Sequence, residues 1–278
     1  MNISQIWAYG RAQLQDSPTP DLDARLLLGH LLGVSQTYLI AYGELPVSAD
    51  QENRYRALIA RARQKEPIPY LIGHAPCYGL EFQVTPDVLI PRPETELLLD
   101  LALAWAKPRQ PLSVVDVGTG SGCIAICLAA HLPQATVQAV DISPAALAVA
   151  RRNAQRHVEG RIQFHLGDLL APIPGDLDLI IANLPYITES EWTMLDDGVK
   201  LYEPEVALKG GDDGLDLIRN LLRQAKSKLN PGGAIFLEIG WKQGSDCQQV
   251  AQACFPAAHT EMVPDYAGND RIVVVTTG

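Results

Sequence analysis

The sequence has no long apolar segment and no recognisable targeting signal. No stretch reaches the roughly 18 uninterrupted apolar residues that a membrane-spanning helix needs. The first residues, MNISQIWAYGRAQLQ, have neither the basic start nor the apolar core of a secretory signal peptide. We therefore expect a cytoplasmic protein with no membrane partner.

Cysteine and histidine are too few and too scattered for a disulfide framework or a metal centre. The five cysteines, Cys77, Cys123, Cys127, Cys247 and Cys254, form no CxxC pair, and the six histidines form no HxxxH motif. The spacing of four between Cys123 and Cys127, in an apolar stretch, is typical of one buried helix face. We expect buried, unreactive thiols and no metal.

Basic residues are fewer than acidic ones: the sequence has 22 Lys and Arg residues and 32 Asp and Glu residues, which gives a net charge of −10. Proteins that bind nucleic acid usually present a basic face, because neutralising phosphates supplies most of their affinity. The composition therefore disfavours a nucleic-acid partner. We also expect a monomer.

The length of 278 residues favours one large domain and a smaller one. Apolar spacing predicts helices at residues 22–31, ended by Gly33, and at residues 49–65. We expect a helical domain at residues 1–72, a β-hairpin or connector at 73–92, and a larger domain at 93–278. A helix is predicted to start near Pro93 in the last of these.

Beyond Pro111 the sequence alternates strand-like and helix-like segments. Strands are predicted at residues 112–117, 136–140, 162–166, 177–182 and 234–239, with one or two more near the C-terminus. Helices are predicted at residues 122–131, 143–157 and 215–229, and Asn230-Pro231-Gly232-Gly233 is predicted to be a turn. The alternation indicates an α/β fold with a doubly wound, mainly parallel sheet covered on both faces.

A glycine-rich loop, DVGTGSG at residues 116–122, directly follows the first of these strands. Gly118, Gly120 and Gly122 allow the backbone to turn tightly and to approach a ligand with no Cβ in the way. The next two strands end near Asp141 and Asp168, whose carboxylates can accept ribose hydroxyls and an adenine amino group. Because ligands bind at the carboxyl ends of strands in such sheets, this pattern predicts a nucleoside cofactor.

A second loop, Asn183-Leu184-Pro185-Tyr186, follows the fourth strand. The Asn183 side-chain oxygen and the Leu184 carbonyl can each accept one N–H bond and so fix the plane of an amide NH₂ group. Tyr186 offers a flat face for a planar group. Positioning of this kind can supply up to ~7–11 kcal/mol, which matters because an amide nitrogen is nearly non-nucleophilic. The two loops together predict methyl transfer from S-adenosylmethionine to a planar nitrogen.

The order of the motifs resembles one known family. IPRPETE, DVGTGSG, DISPAALAVARRNA, GDLL, NLPY, EPEVAL and LNPGG with LEIG are similar to the protein-(glutamine-N5) methyltransferases of peptide chain release factors. The resemblance runs from about residue 70 to the C-terminus. It implies a class I methyltransferase fold, with a seven-stranded sheet whose last strand is antiparallel. It also implies methylation of the glutamine of the release-factor Gly-Gly-Gln loop, in support of translation termination. The helical segment at residues 1–72 is consistent with the family, and we expect it to dock the substrate.

The resemblance also implies roles for individual residues. The cofactor would be held by Gly118, Thr119, Gly120, Ser121, Gly122, Asp141, Asp168, Leu169 and Asn183. Catalysis and glutamine binding would fall to Asn183, Leu184, Pro185 and Tyr186. Arg92 and Glu94 either lie near the active site, as in the family, or form an ion pair at a helix start.

One position departs from the family pattern, because Leu184 stands where Asn-Pro-Pro-Tyr usually has proline. The backbone carbonyl survives, but the fixed φ of proline is lost. Pro185 still favours an extended conformation at residue 184, so we expect the loop geometry to persist with less preorganisation.

Three other functions fit parts of the sequence. An adenine-N6 methyltransferase acting on DNA or RNA would need the same two acceptors, although the acidic balance counts against it. A non-catalytic docking module would keep the fold and lose cofactor affinity. A dehydrogenase is disfavoured, because Cys123 stands where the GxGxxG pattern requires its third glycine.

Overall fold

The computed structural model describes residues 1–278, and the chain divides into two compact units. The helical unit comprises residues 1–74 together with residues 196–202. The sheet unit comprises residues 75–195 and 203–278. None of the helices combines the length and the apolar character that crossing a membrane requires.

The helical unit contains α1 (Ile3–Gln13), α2 (Pro20–Leu32), α3 (Gln36–Ala41), α4 (Ala49–Arg63) and α5 (Ile68–Ile72). As predicted, α2 ends at Gly33, which adopts a left-handed conformation with φ of 67°. Its core includes the fully buried Tyr55, whose hydroxyl donates to the Ala24 carbonyl at 2.9 Å. The bond satisfies the one polar atom that this ring buries.

Residues 196–202 pack with the helical unit although they are distant from it in sequence. Lys65 Nζ lies 3.3 Å from a carboxylate oxygen of both Asp196 and Asp197. The Tyr202 hydroxyl donates to the Gln64 carbonyl at 3.2 Å. Nothing in the hydrophobic pattern of this segment indicates the pairing.

The sheet unit continues the chain through nine strands and the remaining helices. They are β1 (His74–Cys77), β2 (Leu80–Gln83), α6 (Glu94–Ala106), β3 (Ser113–Val117), α7 (Cys123–His131), β4 (Thr136–Asp141), α8 (Pro144–His157), β5 (Ile162–Leu166), β6 (Leu177–Asn183), α9 (Glu189–Trp192), α10 (Asp197–Tyr202, part of the helical unit), α11 (Asp216–Ala225), β7 (Leu229–Glu238), α12 (Gly244–Cys254), β8 (His259–Pro264) and β9 (Asp270–Thr276). Strands β1 and β2 form a separate two-stranded sheet.

The main sheet has seven strands in the order β5-β4-β3-β6-β7-β9-β8. Strands β3 to β7 pair in parallel, and β9 runs antiparallel to both of its neighbours. The chain enters the sheet at β3, extends in one direction through β4 and β5, and then crosses to β6 on the other side of β3. This is the doubly wound class I methyltransferase topology, as predicted, and the direction reverses between β3 and β6.

Alternate residues of the central strands are buried on opposite faces of the sheet. Leu179 and Ile181 of β6 pack with α6 and α7, whereas Ile180 packs with α11 and α12 on the other face. Burial on both faces explains the continuous apolar character of the strand. Four of the five cysteines are buried, Cys254 is partly exposed, and all five thiols are free.

One predicted boundary is wrong, since helix α11 ends at Ala225 rather than near residue 229. The predicted Asn-Pro-Gly-Gly turn lies within β7 as irregular backbone: Gly232 has a φ of 76°, and regular pairing with both neighbouring strands starts at Ala234, as predicted. Asn230 Nδ2 donates to Asp178 Oδ1 of β6 at 2.8 Å, and the pairing between these strands changes register between Leu177 and Leu179. A β-bulge thus accommodates the glycines that indicate a turn in the sequence.

Candidate active site

A cavity of about 410 Å³ lies at the carboxyl ends of β3, β4, β5 and β6, wholly within the sheet unit. Its walls come from residues within 87–95, 117–124, 140–146, 167–169, 183–185 and 206–217. The volume is in the range of cavities that hold small molecules and cofactors. The topology places the cavity where the strand order reverses, as the sequence pattern predicts.

The glycine-rich loop forms one wall of this cavity. Gly118 and Gly120 have φ of 74° and 55°, a left-handed conformation that favours glycine. The N–H groups of Gly118 and Thr119 donate to the Val140 carbonyl at 2.9 and 3.0 Å, and that of Gly120 donates to Asp141. These three N–H groups are already bonded within the protein and are not free to bind a ligand. The glycine loop therefore lets a ligand come close to the backbone but does not offer it a full set of free amides.

Gly120 and Gly122 have different surroundings. A Cβ at Gly120 would meet nothing closer than an oxygen at 4.0 Å, which leaves room for a ligand. A Cβ at Gly122 would lie 3.1 Å from Ala150 of α8, and Gly122 is not part of the cavity wall. We conclude that Gly122 allows close packing of α7 against α8, while Gly120 faces the cavity.

Asp141 lies in the cavity wall at the end of β4. Its Oδ2 accepts the Gly120 N–H and its Oδ1 accepts the Ser143 N–H, both at 2.9 Å. Burial raises the pKa of Asp141, and these backbone hydrogen bonds oppose the increase. Each oxygen keeps a lone pair for another donor, so the carboxylate can accept both hydroxyls of a ribose.

Asp168 and Leu169 line the cavity after β5. The Asp168 side chain is exposed, whereas Leu169 is buried and has a φ of 48°. A leucine rarely adopts this left-handed conformation, so the backbone stores strain beside the cavity. Strain of this kind accumulates at ligand sites.

Asp116, for which the sequence pattern predicts no role of its own, is fully buried below the glycine loop. Its Oδ2 accepts bonds from the Thr119 hydroxyl at 2.6 Å and from the Ala125 N–H at 3.1 Å. Burial raises the pKa of Asp116 to about 7, and these hydrogen bonds oppose the increase. The carboxylate ties the glycine loop to the first turn of α7.

The Asn183-Leu184-Pro185-Tyr186 loop forms the facing wall. Its first three residues line the cavity, and the buried Leu184 packs so close to the glycine loop that a Cβ at Gly118 would lie 3.0 Å from Leu184 Cδ2. Tyr186 is half-buried, does not line the cavity, and has its pKa raised to about 12, chiefly by burial. The two predicted loops are therefore in contact.

Gln243, a residue without a predicted role, supports this loop from below. Its Nε2 donates to the Tyr186 carbonyl at 2.8 Å and to the Asp213 carbonyl at 3.0 Å, and its Oε1 accepts the Gly240 N–H at 2.8 Å. The Gln243 side chain is buried. All of its bonds go to backbone groups, so it fixes the path of three loops at once.

Asn183 ends β6 beside Glu238, which ends β7 and is its register partner. Asn183 Nδ2 donates to Thr95 Oγ1 at 3.2 Å, and the Thr95 hydroxyl donates to Glu238 Oε2 at 2.9 Å. Burial raises the pKa of Glu238 to about 7, although its bond to Thr95 and the nearby charge of Arg271 oppose the increase. The signal in the sequence was the acidic residue that ends the apolar strand AIFLE.

Arg92 lies in the cavity wall and pairs with Glu203 at 2.5 Å. Glu203 is buried and also accepts the Ile90 N–H at 3.4 Å. One of the two expectations for these residues was an ion pair between Arg92 and Glu94 at the helix start. Arg92 instead pairs with Glu203, which is 111 residues away in sequence. The pair fastens the chain after α10 next to the cavity.

Comparisons with known proteins agree with this geometry. Residues 5–73 match the PrmC N-terminal domain, and residues 95–199 match the methyltransferase small domain. A release factor glutamine methyltransferase of Koribacter versatilis is 42% identical over 99% of this chain and 98% of its own. One from Moorella thermoacetica is 42% identical over 91% and 89% of the two chains.

A solved structure shares the fold alone. It is the 16S rRNA N2 G1207 methyltransferase of T. thermophilus in complex with AdoMet and guanosine, with a TM-score of 0.53 and 19% identity over 74% of this chain and 50% of that one. The full-length sequence matches carry more information, because they include the helical unit, the glycine loop and the acceptor loop. The chain belongs to the release factor glutamine methyltransferases.

Proposed function

We propose that the protein transfers the methyl group of S-adenosylmethionine to the side-chain nitrogen N5 of the glutamine in the Gly-Gly-Gln motif of peptide chain release factors. The observation that carries the proposal is the contact between the two loops, in which Leu184 packs against Gly118 on the wall of one cavity. A cofactor held at the glycine loop and an amide held at Asn183 would share that cavity.

S-adenosylmethionine is the cofactor, and the residues present fit it. The open face of Gly120 leaves room for the methionine part beside residues 118–121. Asp141 would accept the ribose hydroxyls, with Asp168 and Leu169 on the adenine side. When bound, the cofactor supplies an electrophilic methyl group on a sulfonium sulfur.

The acceptor loop would hold the glutamine amide. Because Asn183 Nδ2 is bonded to Thr95, its Oδ1 is the atom left to accept an N–H of the glutamine, and the Leu184 carbonyl would accept the other. Two acceptors fix the NH₂ plane and direct the nitrogen at the methyl group. No strong base is required in the cavity, because the nitrogen releases a proton readily once it carries the methyl group.

The remaining assignments are part of the same proposal. Residues 1–72 would dock the release factor, residues 73–92 would connect, and residues 93–278 would carry catalysis. We propose that the protein acts as a monomer in the cytoplasm. The net charge of −10 supports a protein substrate rather than nucleic acid.

The test is transfer of labelled methyl from S-adenosylmethionine to a purified release factor. The control is the same factor with the Gly-Gly-Gln glutamine replaced by alanine. Label that appears only with the intact glutamine supports the proposal. Cofactor binding with no label on either factor would contradict it, and label on DNA or RNA would favour the adenine-N6 alternative.

A further inference from the structure

The amide group of Asn183 has two chemically different ends. Oδ1 can accept an N–H bond, whereas Nδ2 can only donate. If the amide turned by 180° about its last side-chain bond, an NH₂ group would face the NH₂ group of the incoming glutamine. The acceptor loop therefore requires a contact that selects one of the two orientations.

Thr95 and Glu238 provide such a contact. An ionised carboxylate only accepts, so the single hydroxyl hydrogen of Thr95 is committed to Glu238 Oε2 at 2.9 Å. The Thr95 oxygen is then left as an acceptor, and Asn183 Nδ2 donates to it at 3.2 Å. Each hydrogen position follows from the one before it, starting from the carboxylate.

The fold itself has no evident need for this carboxylate. Glu238 is 1% exposed, and its Oε1 has no hydrogen-bond partner. A buried carboxylate with an unpaired oxygen is costly, and a neutral side chain of similar size would be cheaper in the same place. A stabilising role therefore does not explain Glu238, whereas control of the acceptor amide does.

We propose that Glu238, acting through Thr95, is a positioning residue that fixes the Asn183 amide with Oδ1 toward the methyl acceptor. The inference rests on the proposed function, because it assigns the acceptor that Asn183 serves. It concerns the orientation of one side chain and requires no contact between Glu238 and the substrate.

The protonation state of Glu238 should then control turnover. The charged and titratable groups around it are Arg271 on β9, Glu94 in the first turn of α6, and Tyr186. Protonated Glu238 can donate to Thr95 Oγ1, which frees the threonine hydrogen to point at Asn183 and favours the reversed amide. Because the pKa of Glu238 is about 7, turnover should decrease as the pH falls through this value.

The experiment compares three substitutions with the wild type. Glu238→Gln keeps the shape but can donate as well as accept, and Thr95→Val removes the hydroxyl that links the two residues. Both should lower kcat ~10–100-fold, because a wrongly oriented Asn183 amide no longer positions the glutamine nitrogen, and loss of positioning has effects of this size. Thr95→Ser preserves both bonds and should restore kcat to within ~3-fold of the wild type.

The matched control is Asp178→Asn, at the opposite end of β6 from Asn183. Asp178 is likewise a carboxylate on a central strand that accepts hydrogen bonds, here from the Ser113 N–H at 2.7 Å and from Asn230 Nδ2 at 2.8 Å. Its replacement should lower the melting temperature and leave kcat unchanged. At pH 8, Glu238→Gln should lower kcat and leave the melting temperature unchanged. The calorimetric Kd for S-adenosylmethionine and the KM for the release factor should both stay within ~3-fold of the wild type.

The outcomes separate the two levels of the proposal. The positioning role is supported if the wild type labels the intact glutamine and Glu238→Gln lowers kcat without loss of stability. It is supported further if kcat of Glu238→Gln no longer decreases as the pH falls through about 7. If Glu238→Gln keeps the wild-type kcat, or loses kcat only in parallel with stability and cofactor affinity, the positioning role is refuted. A wild type that labels neither factor refutes the proposed function, and the positioning role with it.

Discussion

Gly210 offers the sharpest test of how the acceptor loop is held. It is buried, lines the cavity, and donates its N–H to the Ile187 carbonyl at 2.9 Å. A Cβ at this position would lie 2.5 Å from the Pro185 carbonyl oxygen and 2.7 Å from Tyr186 Cα. Gly210→Ala therefore directs a methyl group at the backbone of the acceptor loop, and no flexible side chain can move out of its way.

The size of the effect follows from these distances. Ordinary contacts of a Cβ begin at 3.4 Å, so the Pro185 carbonyl must move by about 0.9 Å. Overpacking of this kind costs ~1–3 kcal/mol of folding free energy. A displacement of about 1 Å in a positioning group can cost ~100-fold in rate, so we expect kcat to decrease ~10–100-fold. The Kd for S-adenosylmethionine should change by less than ~3-fold, since the glycine loop is not displaced.

Gly233→Ala is the matched control. Gly233 is buried at the other end of the sheet, and a Cβ there would lie 2.8 Å from the Asn230 carbonyl and 3.0 Å from the Asp178 carbonyl. Urea unfolding, calorimetric cofactor binding and methyl transfer to a release factor would be measured for both variants. A comparable loss of stability with unchanged kcat is expected for Gly233→Ala. Equal kcat in the two variants would refute the claim that Gly210 acts through the acceptor loop.

The remaining predictions concern the two loops and the buried carboxylates. Asp141→Ala should mainly weaken binding of S-adenosylmethionine, whereas Asn183→Ala should lower kcat with cofactor affinity largely intact; calorimetry and kinetics that gave the opposite pattern would reverse the assignments. Leu184→Pro should keep kcat within ~3-fold, because Pro185 already favours the extended conformation at this position, and abolished methyl transfer would show a different loop conformation. Asp116 and Glu238 have pKa values raised to about 7 from ordinary values of 3.8 and 4.5. The folded state therefore binds more protons than the unfolded state in this range, so the free energy of unfolding should decrease from about pH 4 to 7, and urea titrations in which it increased would contradict these pKa values.

The order of the elements and the mainly parallel pairing of the strands were predictable from local signals, whereas the seven-stranded topology with its antiparallel last strand came from the family resemblance. Apolar strands buried on both faces, each followed by a glycine, an N-cap or an acidic residue, indicate a parallel sheet without any knowledge of tertiary contacts. Ser143 illustrates this, since its side chain accepts the Ala146 N–H as an N-cap and Pro144 opens α8. The bulge in β7 was not predictable, because the Asn230–Asp178 bond that holds it joins residues 52 apart.

The predicted site residues were those whose role depends on position relative to one strand. Gly120 lies in the loop after β3, Asp141 ends β4 and Asn183 ends β6, and parallel pairing brings these strand ends together. Thr95 and Gln243 could not be assigned in the same way. The side chain of Thr95 bonds to residues 88 and 143 positions away, and that of Gln243 bonds to residues 30 and 57 positions away as well as to a neighbour three positions away. Thr95 lies within the IPRPETE motif, but nothing in that motif assigns its hydroxyl a role.

At each of the two loops a buried carboxylate accepts a hydrogen bond from a threonine hydroxyl, and this shared contact explains why Asp116 and Glu238 are buried. Below the glycine loop, buried Asp116 accepts the hydroxyl of Thr119 at 2.6 Å; beside the acceptor loop, buried Glu238 accepts the hydroxyl of Thr95 at 2.9 Å. In each case one carboxylate oxygen has no partner. An ionised carboxylate can only accept, so a hydroxyl beside it must donate its hydrogen to the carboxylate. An amide side chain can donate as well as accept, so it does not fix the direction of the hydroxyl in this way. Stability is lost at both positions, and what is gained is a single arrangement of donors and acceptors on the two walls between which the methyl group must pass.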